Sequence, residues 1–127
     1  MTRLFVYGTL KRGDCRAYLL GHAEYLGEAR TTPDYRLYTH GPYPALVEAG
    51  RVGVSGRPIR GELYQVDSET LERLDEEEGV DEGLYERKDI ALSGQSVGAQ
   101  AYFYLHSIEA MVDCGEQWRV GPTASGS

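Results

Sequence analysis

The chain holds only two cysteines, Cys15 and Cys114, among its 127 residues. Two thiols make no disulfide framework, and neither lies in a Cys-x-x-Cys pair or at metal-ligand spacing. Both are read as reduced, in a cytoplasmic protein. The histidines His22, His40 and His106 are scattered, with no Asp or Glu at a telling offset, so no metal or other cofactor is expected. No apolar run approaches the ~18 residues that cross a bilayer. The run Leu4–Tyr7 is stopped by Gly8, too early for a signal peptide. Basic charge is also scarce: 13 Lys and Arg against 20 Asp and Glu, a net charge of −7. The densest basic group, Lys11, Arg12 and Arg16, is too small for a phosphate-backbone footprint. Neither a nucleic-acid nor a membrane partner is expected. Ser55, Ser93 and Ser96 lie in Gly-rich turns without a G-x-S-x-G elbow, and neither cysteine has an evident base beside it. Catalysis by a protein nucleophile is therefore poorly supported.

What the chain has instead is 16 glycines and 10 tyrosines, against two phenylalanines. Many glycines between short apolar runs favour strands joined by tight turns. An excess of Tyr over Phe suggests half-buried positions whose hydroxyls reach water or a ligand. Strands are expected at Arg3–Tyr7, Ala23–Ala29, Tyr35–Tyr38, Ala45–Glu48, Ile59–Val66, Leu84–Leu92 and Val97–Leu105, with a strand-like alternation at Val52 and Val54. Turns fall at Pro33-Asp34 and Ser93-Gly94-Gln95, and Gly41-Pro42-Tyr43-Pro44 reads as a rigid loop. A helix over residues 15–20 has Asp14 as its cap, and a second, acidic helix is capped by Asp67 or Ser68. Strands outnumber helices and do not alternate with them. The expected class is α+β, with a small, closed or strongly curved sheet and two short helices. One domain over residues 1–120 is expected, followed by a disordered tail over 121–127 that carries no core-forming residue.

The acidic helix carries the sharpest signal. In Leu74-Asp75-Glu76-Glu77-Glu78-Gly79, Glu78 falls between Leu71 and Leu74 around the helix axis, at about 100° per residue. An inward carboxylate is costly unless it is paired or used. A solvated acidic helix accounts for Glu69, Glu72, Glu76 and Glu77 but not for Glu78. Two segments could face it. Tyr7-Gly8-Thr9-Leu10 ends a strand in a Gly-Thr turn, where several backbone N–H groups can form a small anion site. Alone, it also reads as a plain strand end. The loop around Tyr43 could hold that side chain rigidly, or could be an ordinary turn. Gly79 suits a helix C-cap, and Glu86 reads as surface charge on an edge strand, while for Arg87, which alternates with it, that reading stays open.

Taken in order, the strand into Tyr7-Gly8-Thr9-Leu10, the strand Gly61-Glu62-Leu63-Tyr64 and the segment Leu74–Gly79 with Tyr85 downstream resemble the γ-glutamylcyclotransferase-like superfamily. That group includes γ-glutamylcyclotransferase, γ-glutamylamine cyclotransferase and the cyclotransferase of butirosin biosynthesis. The resemblance spans residues 3–118 and includes the closing Cys114-Gly115-Glu116-Gln117-Trp118. It implies a small, mixed, strongly curved, barrel-like α+β fold with a cavity at one end. It also implies a cofactor-independent enzyme that closes a γ-glutamyl group onto its own α-amine, releasing 5-oxoproline and a free amine. The catalytic acid/base then falls on Glu78 and the substrate loop on Tyr7, Gly8, Thr9 and Leu10. Tyr43, Tyr85 and Tyr102 are further candidates for the cavity wall. The loop's N–H groups would receive either the α-carboxylate or the oxyanion. An apolar flank and the nearby charges of Asp75, Glu76 and Glu77 are expected to raise the proton affinity of Glu78. The partner is a small γ-glutamyl compound; the leaving amine and the oligomeric state stay open. A γ-glutamyl amide hydrolase or a non-catalytic binder of a small ligand are the alternative readings. Glu77 stands where the γ-glutamylamine branch is often apolar, and the chain is shorter than the glutathione-pathway members, so neither branch is singled out.

Overall fold

The computed structural model describes residues 1–7, 20–21, 23–40, 43–95 and 98–115. Among these lie eight strands and two helices: β1 (Thr2–Val6), β2 (Glu24–Arg30), β3 (Tyr35–His40), β4 (Tyr43–Glu48), α1 (Ala49–Val52), β5 (Arg60–Val66), α2 (Ser68–Glu77), β6 (Tyr85–Ile90), β7 (Ala99–Tyr104) and β8 (Val112–Gly115). They form a five-stranded sheet in the order β2-β5-β1-β7-β6 and a three-stranded sheet in the order β4-β3-β8. Only β1 and β7 are parallel among these neighbours; the other pairs are antiparallel. The fold is the expected α+β class with a mixed, strongly curved sheet.

The larger sheet curls until its two edges meet. Thr31, just past β2, bridges Leu92, just past β6. On either side, the Thr32 N–H donates to the Ala91 carbonyl at 2.9 Å and the Ser93 N–H to the Arg30 carbonyl at 2.8 Å. Pairing two edges removes the open hydrogen-bonding groups that an exposed edge would leave. Thr31 is fully buried at this seam. Its hydroxyl donates to the Thr32 carbonyl at 2.7 Å and accepts the Ile59 N–H at 2.9 Å, so burial leaves it satisfied. The smaller sheet is pinned at the same end. The Arg57 N–H donates to the Tyr35 carbonyl at 2.7 Å, and the Tyr35 hydroxyl accepts the Ala91 N–H at 2.9 Å.

Strand alternation then sorts the side chains onto two faces. Phe5, Tyr7, Leu63, Ala101 and Phe103 join Leu37, Leu46 and Ile59 inside the curl. Leu4, Val6, Tyr64, Val66 and Tyr102 face the other way and are covered by Leu71 and Leu74 of α2. Asp67 caps that helix, its carboxylate accepting the Thr70 N–H at 2.8 Å.

Three local expectations are corrected. Tyr43 and Pro44 belong to β4 rather than to a loop, paired with His40 and Thr39. Proline is tolerated there because β4 is an edge strand, where its missing N–H costs no ladder bond. Val52 ends helix α1 instead of a strand: Gly53 at φ +71° is its left-handed stop, its N–H donating back to the Ala49 carbonyl. Strand β8 is not among the expected strands: its alternation, Val112 and Cys114 around Asp113, covers only four residues. The expected helix over 15–20 and the tail over 121–127 fall outside the described residues.

Candidate active site

The end of α2 is built to fix one residue. Gly79, at φ +69°, adopts the left-handed conformation that glycine alone takes without strain. Its N–H donates to the Glu76 carbonyl at 3.1 Å, the Val80 N–H reaches back to the Asp75 carbonyl at 3.0 Å, and the Glu78 N–H closes on Leu74 at 2.9 Å. The Gly79 and Val80 bonds together are a Schellman stop. Val80 completes it by packing into the cluster that holds Leu71 and Leu74. Each recognisable position of the segment then has a physical task. Leu74, fully buried, anchors the turn, and Gly79 reverses it. Glu78, between them, is half-buried at the helix end.

Three buried tyrosines surround that end: Tyr7 just past β1, Tyr85 at the start of β6 and Tyr102 in β7, at 5%, 6% and 3% exposure. Their donors are engaged. The Tyr7 hydroxyl donates to the Tyr102 carbonyl at 2.6 Å. The Tyr85 hydroxyl donates to the Pro44 carbonyl. The Tyr102 hydroxyl donates to Asp75 Oδ1 at 2.7 Å. Burial, followed by the proximity of Tyr85 and of the Glu78 carboxylate, pushes the Tyr7 phenol well above its ordinary value. Burial, the bond to Asp75 and more weakly the Glu78 charge do the same for Tyr102. Both phenols stay protonated at neutral pH and act as donors. The structure thus brings Glu78, Tyr7, Tyr85 and Tyr102 together. Gly8, Thr9, Leu10 and the Tyr43 side chain lie outside the described residues.

Sequence reasoning missed the neighbour that organises this end. Arg87 is half-buried and grips Asp75 with a two-pronged fork: Nε to Oδ1 at 2.9 Å and Nη2 to Oδ2 at 2.9 Å. Its Nη1 donates to Gln100 Oε1 at 2.6 Å. Burial pushes the Asp75 carboxyl up, but the Arg87 fork, the Tyr102 hydroxyl and the Arg87 charge outweigh it and hold the carboxyl below its ordinary value. Asp75, expected to act on Glu78 as a bare like charge, therefore has a cation of its own. Glu76, Glu77 and Glu86 are exposed. The available signal for Arg87 was its two-residue offset from Tyr85, which puts both on one face of β6. Among the described residues no group of three or more His, Cys, Asp or Glu could hold a metal ion, and no helix is long and apolar enough to cross a membrane.

A curled mixed sheet with the half-buried carboxylates Asp75 and Glu78 at a locked helix end, near three buried tyrosines, defines a small α+β protein with a candidate site at that end. Residues 4–120 match the family described as gamma-glutamyl cyclotransferase, AIG2-like, and the chain belongs to that family. It is 35% identical over 113 residues to a protein of Vibrio cholerae named provisionally as a γ-glutamylcyclotransferase, covering 89% of this chain and 92% of that one. It is 36% identical over 111 residues to γ-glutamylaminecyclotransferase A of Danio rerio, covering 80% of this chain and 66% of the fish protein. The crystal structure of an AIG2-like protein from Mus musculus superimposes with a TM-score of 0.78 at 27% identity, covering 97% of this chain and 92% of the mouse chain.

Proposed function

We propose that the chain is a γ-glutamyl cyclotransferase in which Glu78 is the general acid and base. The observation that carries this reading is the placement of Glu78. A Schellman stop holds it half-buried at the helix end, close enough to the buried Tyr7 and Tyr102 for its charge to add to burial in favouring their protonated forms. A γ-glutamyl compound brings its own nucleophile, the α-amine, so the protein needs no Ser or Cys. The α-ammonium gives a proton to Glu78. The freed amine attacks the γ-carbonyl, forming the ring C–N bond, and the old amide C–N bond breaks. Glu78 returns that proton to the departing amine nitrogen, then takes the second proton from the ring nitrogen and passes it to the released amine, leaving neutral 5-oxoproline and the free amine as its ammonium ion. No cofactor enters the scheme. Holding the chain folded back supplies much of the rate, because well-oriented intramolecular reactions reach effective molarities of about 10⁵ M or more. The remaining task, moving two protons in turn from the α-nitrogen to the leaving nitrogen, suits a carboxylate with an apolar flank. In this reading the N–H groups of Gly8, Thr9 and Leu10 receive the α-carboxylate or the oxyanion, and Tyr7, Tyr43, Tyr85 and Tyr102 form the wall.

The test is a panel of γ-glutamyl amino acids, a γ-glutamyl-lysine isopeptide and γ-glutamyl alkylamines, with 5-oxoproline and free glutamate both measured. The wild type should release 5-oxoproline from at least one, and Glu78→Gln should release none while keeping the native circular dichroism. Activity in Glu78→Gln together with its loss in Glu77→Gln would move the role by one residue. Free glutamate as the product would replace cyclisation by hydrolysis.

A further inference from the structure

We propose that the Asp75–Arg87 pair is the positioning and charge-balancing device of the Glu78 acid/base, an inference that rests on the reading of Glu78 given above. Asp75 and Glu78 stand three residues apart at the end of α2, so their side chains are neighbours, roughly 5–6 Å apart at Cβ. Two carboxylates that close raise each other's proton affinity unless one is balanced. The Arg87 fork provides that balance, and it reaches Asp75 from β6, across the helix–sheet packing.

The same pair fixes position. Asp75 belongs to the last turns of α2, and its own carbonyl accepts the Val80 N–H of the Schellman stop. Its side chain is tied to β6 through Arg87 and to β7 through the Tyr102 hydroxyl. The Tyr102 backbone carbonyl in turn accepts the Tyr7 hydroxyl. One connected chain of bonds, Arg87 to Asp75 to Tyr102 to Tyr7, thus sets α2 against β6, β7 and the end of β1, the elements that meet at Glu78.

The titratable neighbours sort cleanly. Tyr7 past β1, Tyr85 on β6 and Tyr102 on β7 face this end of the helix, and burial keeps the Tyr7 and Tyr102 phenols protonated at neutral pH. On the helix itself Glu76 and Glu77 are exposed, as are Asp81 and Glu82 in the turn that follows. Charges in water are strongly screened. Asp75 and Arg87 are held partly out of water at this same end of the helix, so changing either one alters the field where proton transfer occurs.

The experiment is the pH dependence of kcat/KM for 5-oxoproline release from the best substrate of the panel. It compares the wild type, Asp75→Asn, Arg87→Gln, Arg87→Lys and Glu78→Gln, with circular dichroism on each. Arg87→Gln leaves Asp75 as an unbalanced anion: the acid limb should move up by about 1 unit, and kcat should fall roughly 10- to 100-fold as the turn loosens. Asp75→Asn leaves Arg87 as an unbalanced cation, and the limb should move down. Arg87→Lys keeps the charge without the fork, so the limb should stay near the wild type while kcat drops. Shifts of opposite sign from the two partners are not produced by loss of structure alone. Limbs that coincide with the wild type in both Arg87→Gln and Asp75→Asn, or move in the same direction, overturn the proposal. If Arg87→Gln does not fold, the downward limb of Asp75→Asn and the unmoved limb of Arg87→Lys decide the matter. Wild-type turnover in Glu78→Gln overturns the reading of Glu78 itself; an inactive Glu78→Gln with unmoved limbs elsewhere overturns only the role of the pair.

Discussion

The Tyr7 hydroxyl donates to the Tyr102 carbonyl at 2.6 Å, joining the end of β1 to its parallel neighbour β7 at the point where the chain enters the 8–10 segment. Tyr7 and Leu46 of β4 also share one buried cluster, so the same side chain packs between the five-stranded sheet and the smaller one. Tyr7→Phe removes this buried bond to the Tyr102 carbonyl. The expected loss is about 1–3 kcal/mol of stability. It is read from the urea midpoint at neutral pH; an unchanged midpoint would mean that the hydroxyl is not a joint between the end of β1 and β7.

The buried phenols also set an alkaline limit. Their protonated forms are favoured in the fold over the unfolded chain, where tyrosine titrates near 10. Protons are then bound more tightly in the native state, so this stability is complete below about pH 10 and is lost as pH rises beyond it. Unfolding midpoints measured from pH 8 to 11 should fall above about pH 10. The fall should be shallower in Tyr7→Phe than in the wild type.

Asp75 sets the acid limit with the opposite sign. Its native carboxyl titrates below the ordinary range, so its contribution is present above about pH 4 and lost as pH falls through the native value. Arg87→Gln removes the fork that outweighs burial. Its stability should therefore change less between pH 5 and 2 than that of the wild type. Equal slopes would show that the pair contributes nothing to acid stability.

The site was legible where the signal is local. Glu78 stands out because the helix period is set by its immediate neighbours, and the Gly79 stop and Asp67 cap are properties of single positions. Arg87 was not legible, because its partner is chosen by how β6 packs against α2, a relation that no local period encodes. The same holds for β8, whose pairing of Asp113 with Tyr38 spans most of the chain. Val52 and Val54 misled because alternation over three residues fits either element, and Gly53 between them terminates a helix. Tyr43-Pro44 misled because proline signals a loop except on an edge strand.

Gly79→Ala tests the helix stop. Alanine at φ +69° costs about 1–2 kcal/mol from the left-handed backbone alone. Its Cβ would also stand 3.2 Å from Leu84 Cβ, which must yield. Relief by unwinding the last turn moves Glu78, so kcat should fall with a smaller change in KM. Steady-state kinetics on the best γ-glutamyl substrate separates the two.

Gly61 makes the complementary demand on the sheet. A Cβ there would lie 2.3 Å from the Val6 carbonyl and 2.7 Å from Phe5 Cζ, distances that no side-chain rotation relieves, because the first atom is backbone. The glycine of Gly61-Glu62-Leu63-Tyr64 is therefore what lets β5 lie against the end of β1. Gly61→Ala must push Val6 aside, and Tyr7 follows Val6 in the chain. The expected cost is about 1–3 kcal/mol, as for other overpacked interiors. That corresponds to a fall in Tm of several degrees for a domain of this size. Because the displaced strand end carries Tyr7, turnover should drop by more than the lost stability explains at temperatures where the variant is still fully folded. Thermal unfolding followed by assay at 15 °C tests both parts. A variant as stable and as active as the wild type would show that β1 can shift without disturbing the Tyr7–Tyr102 bond.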